Sequence, residues 1–208
     1  MPAVRRARFV PLTIASGVLS ATLLSLSLTG TLSGFAASIT NSTNTAASGA
    51  LTMQEQNAGA TVTCTSTDGG TVSSNTATCA SINKFGGSTT FVPGASVATT
   101  ITIKNTGTVT ASTFSLAPGA ACTQSNNGAV NGSATDFCSK MNLTVTQGST
   151  SVFSGTLASF AGSNAISLGS VAAGSSLPFT FTVTMASAAG NTYSGLAASM
   201  PMTWTFNS

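Results

Sequence analysis

The chemically reactive side chains of this sequence are few: four cysteines, three acids and, beyond the arginines of the first eight residues, three lysines. The chain contains no histidine. This absence removes both the commonest general base and the commonest transition-metal ligand. The cysteines do not form a C-x-x-C pair either, which is a spacing typical of zinc sites. We therefore predict no catalytic residue, no cofactor and no metal site.

The acidic residues, Glu55, Asp68 and Asp136, are too few and too scattered for a carboxylate-dependent hydrolase. Such an enzyme needs two carboxylates at one bond, so nearly all the acids of the chain would have to converge. No H-E-x-x-H motif is present, which removes the zinc-peptidase mechanism that depends on it. The sequence thus predicts a protein that is not an enzyme.

The net charge of +3 comes from the N-terminal arginines, because the lysines and acids of the remaining chain cancel. A neutral body without a basic patch does not favour phosphate binding, and nucleic acid is not an expected partner. With 42% hydrophobic and 4% charged residues, the chain is too apolar to be disordered and should fold.

The N-terminus has the pattern of an export signal. A basic stretch, MPAVRRARF, precedes an apolar run over residues 10–32, and small residues follow. We predict a secretory signal peptide over residues 1–36, cleaved by a signal peptidase between Ala36 and Ala37. A retained membrane anchor is the alternative, since a bilayer span needs ~20 residues. In both cases the body is exported, and the membrane is contacted only through the signal segment.

The cysteines of an exported chain are best interpreted as disulfides. Three pairings are possible, and sequence proximity favours Cys64 with Cys79 and Cys122 with Cys138. Each bridge would close a loop of about 15 residues, which is worth ~3 kcal/mol in the chain-entropy model. The predicted role of all four cysteines is structural.

Three stretches alternate large and hydroxyl side chains at the period of a strand. In residues 91–107, a Pro-Gly turn precedes Val97, Thr99, Ile101 and Ile103, which fall on one face, and an Asn-Thr-Gly turn ends the run. Residues 177–185 and 202–206 repeat the pattern with phenylalanine, tryptophan and threonine. We predict an all-β domain over residues 50–208, a jelly-roll-like antiparallel sandwich of two sheets.

Two hairpins are predicted within this domain. Residues 141–147 and 150–157 flank Gly148, and two threonine-rich runs flank the turn signal of Asp68, Gly69 and Gly70. Residues 120–140 are irregular and long for a compact domain, so the second disulfide is expected to pin them. This loop is also a candidate binding surface, with Asp136, Phe137 and Lys140 as its distinctive side chains.

Residues 37–49, which we call the lead, are polar and separate the signal from the domain. One interpretation is a flexible N-terminal segment. The other is a donor strand that pairs with an open sheet edge of a neighbouring subunit, because main-chain pairing needs little side-chain specificity. The predicted assembly residues are Ser38, Ile39, Thr40, Asn41, Ser42 and Thr43.

Four pieces of the chain, in their order and spacing, carry a family resemblance. They are GFAASITNSTNTAASGALTM, FVPGASVATTITIKNTGT, LGSVAAGSSLPFTFTVT and GNTYSGLAASMPMTWTF. The chain resembles the TasA and camelysin family of exported bacterial proteins, whose signals are processed by a SipW-type signal peptidase. The resemblance implies a jelly-roll domain at the cell surface or in extracellular matrix fibres, where subunits join by inserting an N-terminal strand into the next subunit. The four cysteines and the scarcity of charge differ from the family pattern.

Three functional hypotheses follow. The first is a secreted structural subunit of a biofilm-type fibre that polymerises with itself, with an accessory or anchoring matrix protein as a further partner. The second is a monomeric surface adhesin or ligand-binding module that uses the loop 120–140. The third is cross-β assembly through residues 177–185, whose sequence combines β-propensity with an absence of charge.

Overall fold

A computed structural model describes residues 38–70, 73–128 and 130–208. The predicted signal peptide and its cleavage site at Ala36 and Ala37 lie outside the described residues. The chain divides into two units, residues 1–46 and 47–208. The described part of the first unit, residues 38–46, contains neither strand nor helix. Among the described residues, none belongs to a helix with the length and apolarity that a membrane span requires.

The second unit is an all-β antiparallel sandwich, which confirms the predicted fold class. Its strands within the described residues are β1 Met53–Asn57, β2 Thr63–Thr65, β3 Ser96–Asn105, β4 Ala111–Pro118, β5 Thr123–Asn126, β6 Met141–Gln147, β7 Thr150–Thr156, β8 Ile166–Val171, β9 Ser176–Met185, β10 Leu196–Ser199 and β11 Met202–Asn207. A four-residue helix, α1 Leu157–Phe160, follows β7, and 3₁₀ turns occur at Phe137–Ser139 and Asn191–Tyr193.

The first layer is a six-stranded sheet in the order β2-β1-β3-β9-β6-β7. The long strands β3 and β9 lie at its centre and pair antiparallel over nine residue pairs from Ser96↔Thr184 to Lys104↔Ser176. The alternation seen in the sequence places Ile101, Ile103 and Phe181 in the core, fully buried. The strand prediction for residues 91–107 and 177–185 is therefore confirmed.

The second layer contains the sheet β11-β4-β8 and the pair β10-β5. The β4–β11 ladder ends at Pro118↔Met202, and the β5–β10 ladder begins at Thr123↔Ser199. A backbone hydrogen bond from Gly119 N to Pro201 O, 2.8 Å long, spans the interruption. The pair β10-β5 is thus the continuation of the β4–β11 ribbon beyond a break.

Aromatic rings join the two layers. Phe114 on β4 meets Phe179 on β9 edge to face at 5.9 Å between ring centroids. The indole of Trp204 on β11 stacks on Phe114 at 5.4 Å and lies 4.8 Å from Phe179 and 6.2 Å from Phe181. Such ring pairs add about 0.5–1.5 kcal/mol beyond the area they bury. The position of Trp204 is therefore determined by rings from both layers.

A buried asparagine ends β3. The side-chain amide of Asn105 donates to the carbonyls of Val109 and Val171, at 2.9 and 3.0 Å, and its side-chain oxygen accepts from Gly107 N at 3.0 Å. The residue has no exposed surface. A buried polar side chain with three partners of this kind fixes the direction in which the chain leaves the sheet.

The hairpin around Gly148 is confirmed as β6 and β7, although the second arm ends at Thr156 because Leu157 begins α1. The hairpin predicted around Asp68 is wrong. Strand β2 pairs with β1, upstream of it, and the described residues 73–81 after the turn contain no strand. The Asp68 carboxylate instead accepts from the backbone and side chain of Thr65, at 2.6 and 2.5 Å, which closes a local turn at the end of β2.

The loop 120–140 is more regular than the sequence predicts. It contains β5, which pairs with β10, and the 3₁₀ turn Phe137–Ser139. The side chain of Gln124 accepts from Phe137 N at 2.7 Å and donates to Ala134 O at 2.6 Å, which ties the loop together. The polar composition concealed these contacts because they involve one side chain and distant backbone.

Candidate functional site

Four of the six charged side chains of residues 47–208 form ion pairs. Lys84 and Glu55 form an ion pair of 2.6 Å whose side chains are only 12% and 9% exposed. Lys140 lies 3.8 Å from Asp136. In the described parts of the chain, no three acid, histidine or cysteine side chains converge in a manner that suits a metal ion.

Both disulfides that sequence proximity favours are present. Cys64 on β2 bonds Cys79 with 5.8 Å between Cα atoms, and Cys122 bonds Cys138 with 6.2 Å between Cα atoms. Two disulfides in a domain of this size are typical of an oxidising, extracellular-type environment. The first bridge is the relevant one for the site, because it attaches an irregular segment to the edge of the six-stranded sheet.

This irregular segment, residues 75–85, is called the tethered segment below. Four contacts hold it to β1, β2 and their flanking residues. Asn75 donates to Leu51 O and accepts from Ser66 Oγ, both at 2.6 Å; Cys79 is bonded to Cys64 and Lys84 to Glu55. Ile82 is buried in the hydrophobic core. The segment is therefore one wall of the domain although it forms no strand.

An open groove lies between the tethered segment, strand β1 and strand β11, with a cavity volume of about 780 Å³. We call it the edge groove. Residues 200–206 line it without interruption, together with Met53, Glu55 and Phe85. Cys122 and Cys138 are not among its lining residues. The groove thus has two kinds of wall, a covalently attached segment and the last strand of the second layer.

Strand β11 has an unpaired edge. Among the described residues its only ladder partner is β4. No backbone hydrogen bond links the tethered segment to β11. The backbone groups of one side of β11 are therefore free to pair with a further strand, which is the requirement for β-strand addition.

The indole N–H of Trp204 is a buried donor without an acceptor among the described residues. Trp204 lines the edge groove while its ring packs between the layers. Tryptophan N–H groups usually find a partner when they are buried. A buried group without one in a native fold is unusual and requires an explanation.

A second cavity, of about 640 Å³, adjoins the first at Asn83, Phe85 and Met200. It extends between residues 83–93 and β10 and reaches the core. The large apolar side chains of its lining include Phe85, Phe91, Val92, Phe137, Met141, Leu157, Val183, Met185 and Leu196. A cavity of this volume is large enough for a small-molecule ligand.

The side chains proposed for recognition by the loop 120–140 are not equally available. Phe137 is buried in the core. Asp136 accepts a 2.8 Å hydrogen bond from the Tyr193 hydroxyl, and the Lys140 ammonium lies 5.7 Å from the centroid of the Tyr193 ring. The hydrogen bond to Asp136 is the main cause that raises the pKa of Tyr193 above its ordinary value of 10.0. These contacts form one small surface cluster rather than a free recognition loop.

The assembly residues Ser38 to Thr43 lie outside any strand, and the side chain of Ile39 is 93% exposed. Residues 177–185 are in the opposite situation. They belong to β9, which is paired on both edges, with β3 and β6. Cross-β assembly through this strand would require the central sheet to open.

The functional features that sequence reasoning missed are the edge groove, the ion pair of Lys84 with Glu55 and the unpartnered indole of Trp204. The alternation of residues 202–206 predicted a strand but contained no signal of which edge would stay unpaired. No protein-family model matches the chain, and no curated protein is significantly similar to it in sequence.

Proposed function

We propose that the chain is a secreted structural protein whose subunits assemble by β-strand complementation into a cell-surface or extracellular matrix fibre of the biofilm type. The observation that carries this proposal is the unpaired edge of β11 beside an open groove. The donor is the lead of a neighbouring copy, and an accessory or anchoring matrix protein is a further partner. The disulfides and the N-terminal signal pattern support export.

Comparison of the sheet edges supports β11 as the acceptor. Natural proteins protect edges by short strands, bulges, prolines or charges. In the six-stranded sheet, β2 has three residues and β7 follows a register shift against β6. In the smaller sheet, β8 has two register shifts against β4. Strand β11 has six residues in regular register and contains no charge and no proline. It is therefore the least protected edge of these two sheets.

Charge also suits close association of copies. The body is neutral, so packed subunits do not repel one another strongly. The lead contains no charged residue. The one acid that lines the edge groove, Glu55, is already paired with Lys84. A neutral strand can thus enter the groove without leaving an uncompensated charge.

The test is assembly of the exported chain, residues 37–208, by negative-stain microscopy and size-exclusion chromatography. A matched control of equal length carries Thr40→Pro and Ser42→Pro, because proline cannot donate to a β-ladder. Filaments from the parent and monomers from the proline variant are expected. Filaments from both would move the assembly element into residues 50–208. Monomers from both would contradict self-assembly.

The second candidate function is that of a monomeric surface adhesin or ligand-binding module, which the second cavity favours. Its volume lies within the range of small-molecule sites. A monomeric parent chain that binds an apolar probe such as anilinonaphthalene sulfonate, with Leu196→Trp filling the cavity and abolishing binding, would support this function. A parent chain that does not bind the probe would contradict it.

A further inference from the structure

We infer that the pair Asn127–Gly128 is a site of spontaneous deamidation in the folded domain, and that this modification loosens residues 83–93 at the wall of the second cavity. Asn127 directly follows β5 and lines that cavity. The inference goes beyond the proposed function, because it does not depend on assembly.

The chemistry needs only the two residues and water. The backbone nitrogen after an asparagine attacks the side-chain Cγ; an N–Cγ bond forms, the Cγ–Nδ2 bond breaks, and ammonia leaves with the proton of the attacking nitrogen. Water then opens the resulting succinimide at either carbonyl, which gives aspartate or isoaspartate. Glycine in the following position favours the first step, because it has no Cβ to obstruct the attack and its backbone is unusually adaptable. Asparagine is for this reason a thermolabile residue.

The sequence contains two Asn-Gly pairs, Asn127–Gly128 and Asn131–Gly132, and the second is protected by the fold. Gly132 N donates to Ser194 O at 2.7 Å. A Cβ added to Gly132 would overlap the Thr192 carbonyl, so the backbone is closely packed there. The nitrogen of Gly132 cannot attack its neighbouring side chain unless this hydrogen bond breaks and the local packing opens.

The first pair lacks this protection. Among the described residues, no backbone carbonyl accepts a hydrogen bond from Gly128 N. Asn127 and Gly128 are both exposed. Gly128 has a φ of 123°, and a Cβ added to it would meet no atom within 4 Å. The attacking nitrogen can therefore move toward the Asn127 side chain, and water can reach the succinimide.

The modification removes a contact at the rim of the second cavity. The side-chain amide of Asn127 donates to Thr89 O at 3.0 Å, and both residues line the cavity. A carboxylate has no proton to donate, and its oxygens repel a carbonyl oxygen. Deamidation thus replaces a hydrogen bond by a repulsive contact and adds a negative charge to the neutral body. Residues 83–93 lose their link to the end of β5.

The experiment follows a chain of residues 37–208 during incubation at mildly alkaline pH, with tandem mass spectrometry to locate the converted residue. In the folded chain, Asn127 should convert at least about tenfold faster than Asn131, because reaction at Asn131 requires a backbone hydrogen bond to break first. In concentrated urea the two rates should become similar, since both pairs share the Asn-Gly sequence. Asn127→Gln should abolish the rapid conversion, because its longer side chain disfavours the five-membered ring. The matched control is Asn126→Gln, which is not followed by glycine and should convert at Asn127 like the parent.

The second arm tests the consequence for the cavity wall. Asn127→Asp reproduces the charge of the product and removes the amide donor. Hydrogen exchange of residues 83–93 should become about tenfold faster in this variant, because one hydrogen bond that holds the segment is lost. Ser125→Asp places the same charge at an exposed position of β5 and leaves the contact of Asn127 with Thr89. It is the matched control and should exchange like the parent.

Equal conversion rates at Asn127 and Asn131 in the folded chain would overturn the assignment of the site. A preference for Asn127 that persists undiminished in urea would overturn it as well, because the preference would then come from the local sequence rather than from the fold. Equal hydrogen exchange in Asn127→Asp and the parent would overturn the loosening of residues 83–93. These readouts do not require filaments, so failure of the inference and failure of the proposed function are distinguishable.

Discussion

The Cys64–Cys79 disulfide provides a decisive test of the edge groove. It attaches one wall of the groove to β2, across a sequence separation of 15 residues. The perturbation is the double substitution Cys64→Ser and Cys79→Ser in a chain of residues 37–208. The second disulfide supplies a matched control, Cys122→Ser with Cys138→Ser, because its separation of 16 residues is almost the same and its cysteines do not line the groove.

The expected loss of stability is similar for both variants. In the chain-entropy model a loop of this length is worth ~3 kcal/mol, since the bridge restricts the unfolded chain. A domain with ~5–15 kcal/mol of stability remains folded after such a loss. The tethered segment also keeps its buried ion pair and Ile82. Removal of the first bridge therefore loosens the groove wall without unfolding the domain.

The two variants should differ in assembly. A preorganised wall lowers the entropic cost of strand docking. The Cys64/Cys79 variant should therefore bind a synthetic peptide of residues 38–49 more weakly than the parent and form fewer filaments. The control variant should assemble like the parent in the same buffer without urea. Unfolding in urea, followed by Trp204 fluorescence, measures the stabilities, and peptide titration measures docking. Equal docking by both variants would refute the assignment of the tethered segment as a functional wall.

Three further predictions concern individual side chains. Asn105→Ala should lower the free energy of unfolding by about 3 kcal/mol, because three hydrogen bonds of about 1 kcal/mol each are lost; a loss near zero in urea unfolding would contradict the structural role of the amide. The pKa of Tyr193, the only tyrosine of the chain, is raised by its hydrogen bond to Asp136. The stabilisation of the folded domain by this hydrogen bond should therefore be present below pH 10 and disappear as pH rises through the folded pKa. Phenolate absorbance should give a midpoint above 10.0 that falls in Asp136→Asn, and an unchanged midpoint would exclude the bond. Hydrogen bonds from Thr65 lower the pKa of Asp68 below 3.8, so the contribution of Asp68 to stability should be present above that pH and disappear as pH falls through the folded pKa. Thermal unfolding at acidic pH should therefore depend less on pH in Asp68→Asn than in the parent, and an equal pH dependence would contradict the assignment.

The regular part of the fold could be predicted because it follows local periodicity. The alternation of residues 177–185 specifies which side chains of β9 enter the core, and the turn at Gly148 specifies an antiparallel partner for β6. Cysteine pairing followed proximity for the same reason, since each bridge joins residues that are close along the chain.

Strand partners and open edges could not be predicted in this way. Strand β2 and the residues after Asp68 have similar threonine-rich sequences, and nothing in their periodicity states that β2 pairs upstream with β1. The unpaired edge of β11 depends on the spatial order of three strands that are far apart in sequence.

The scarcity of charge and the edge groove have a common physical consequence. Proteins that keep sheet edges monomeric commonly place lysine there, but the three lysines of this chain are Lys84, Lys104 and Lys140, and none lies on β11. Lys84 is moreover paired with Glu55. An edge without charge is open to unselective pairing, and the remaining means of control is to make one pairing better than the others. A groove with a fixed wall beside β11 would provide that selectivity, so the low charge favours assembly only where such a groove directs it.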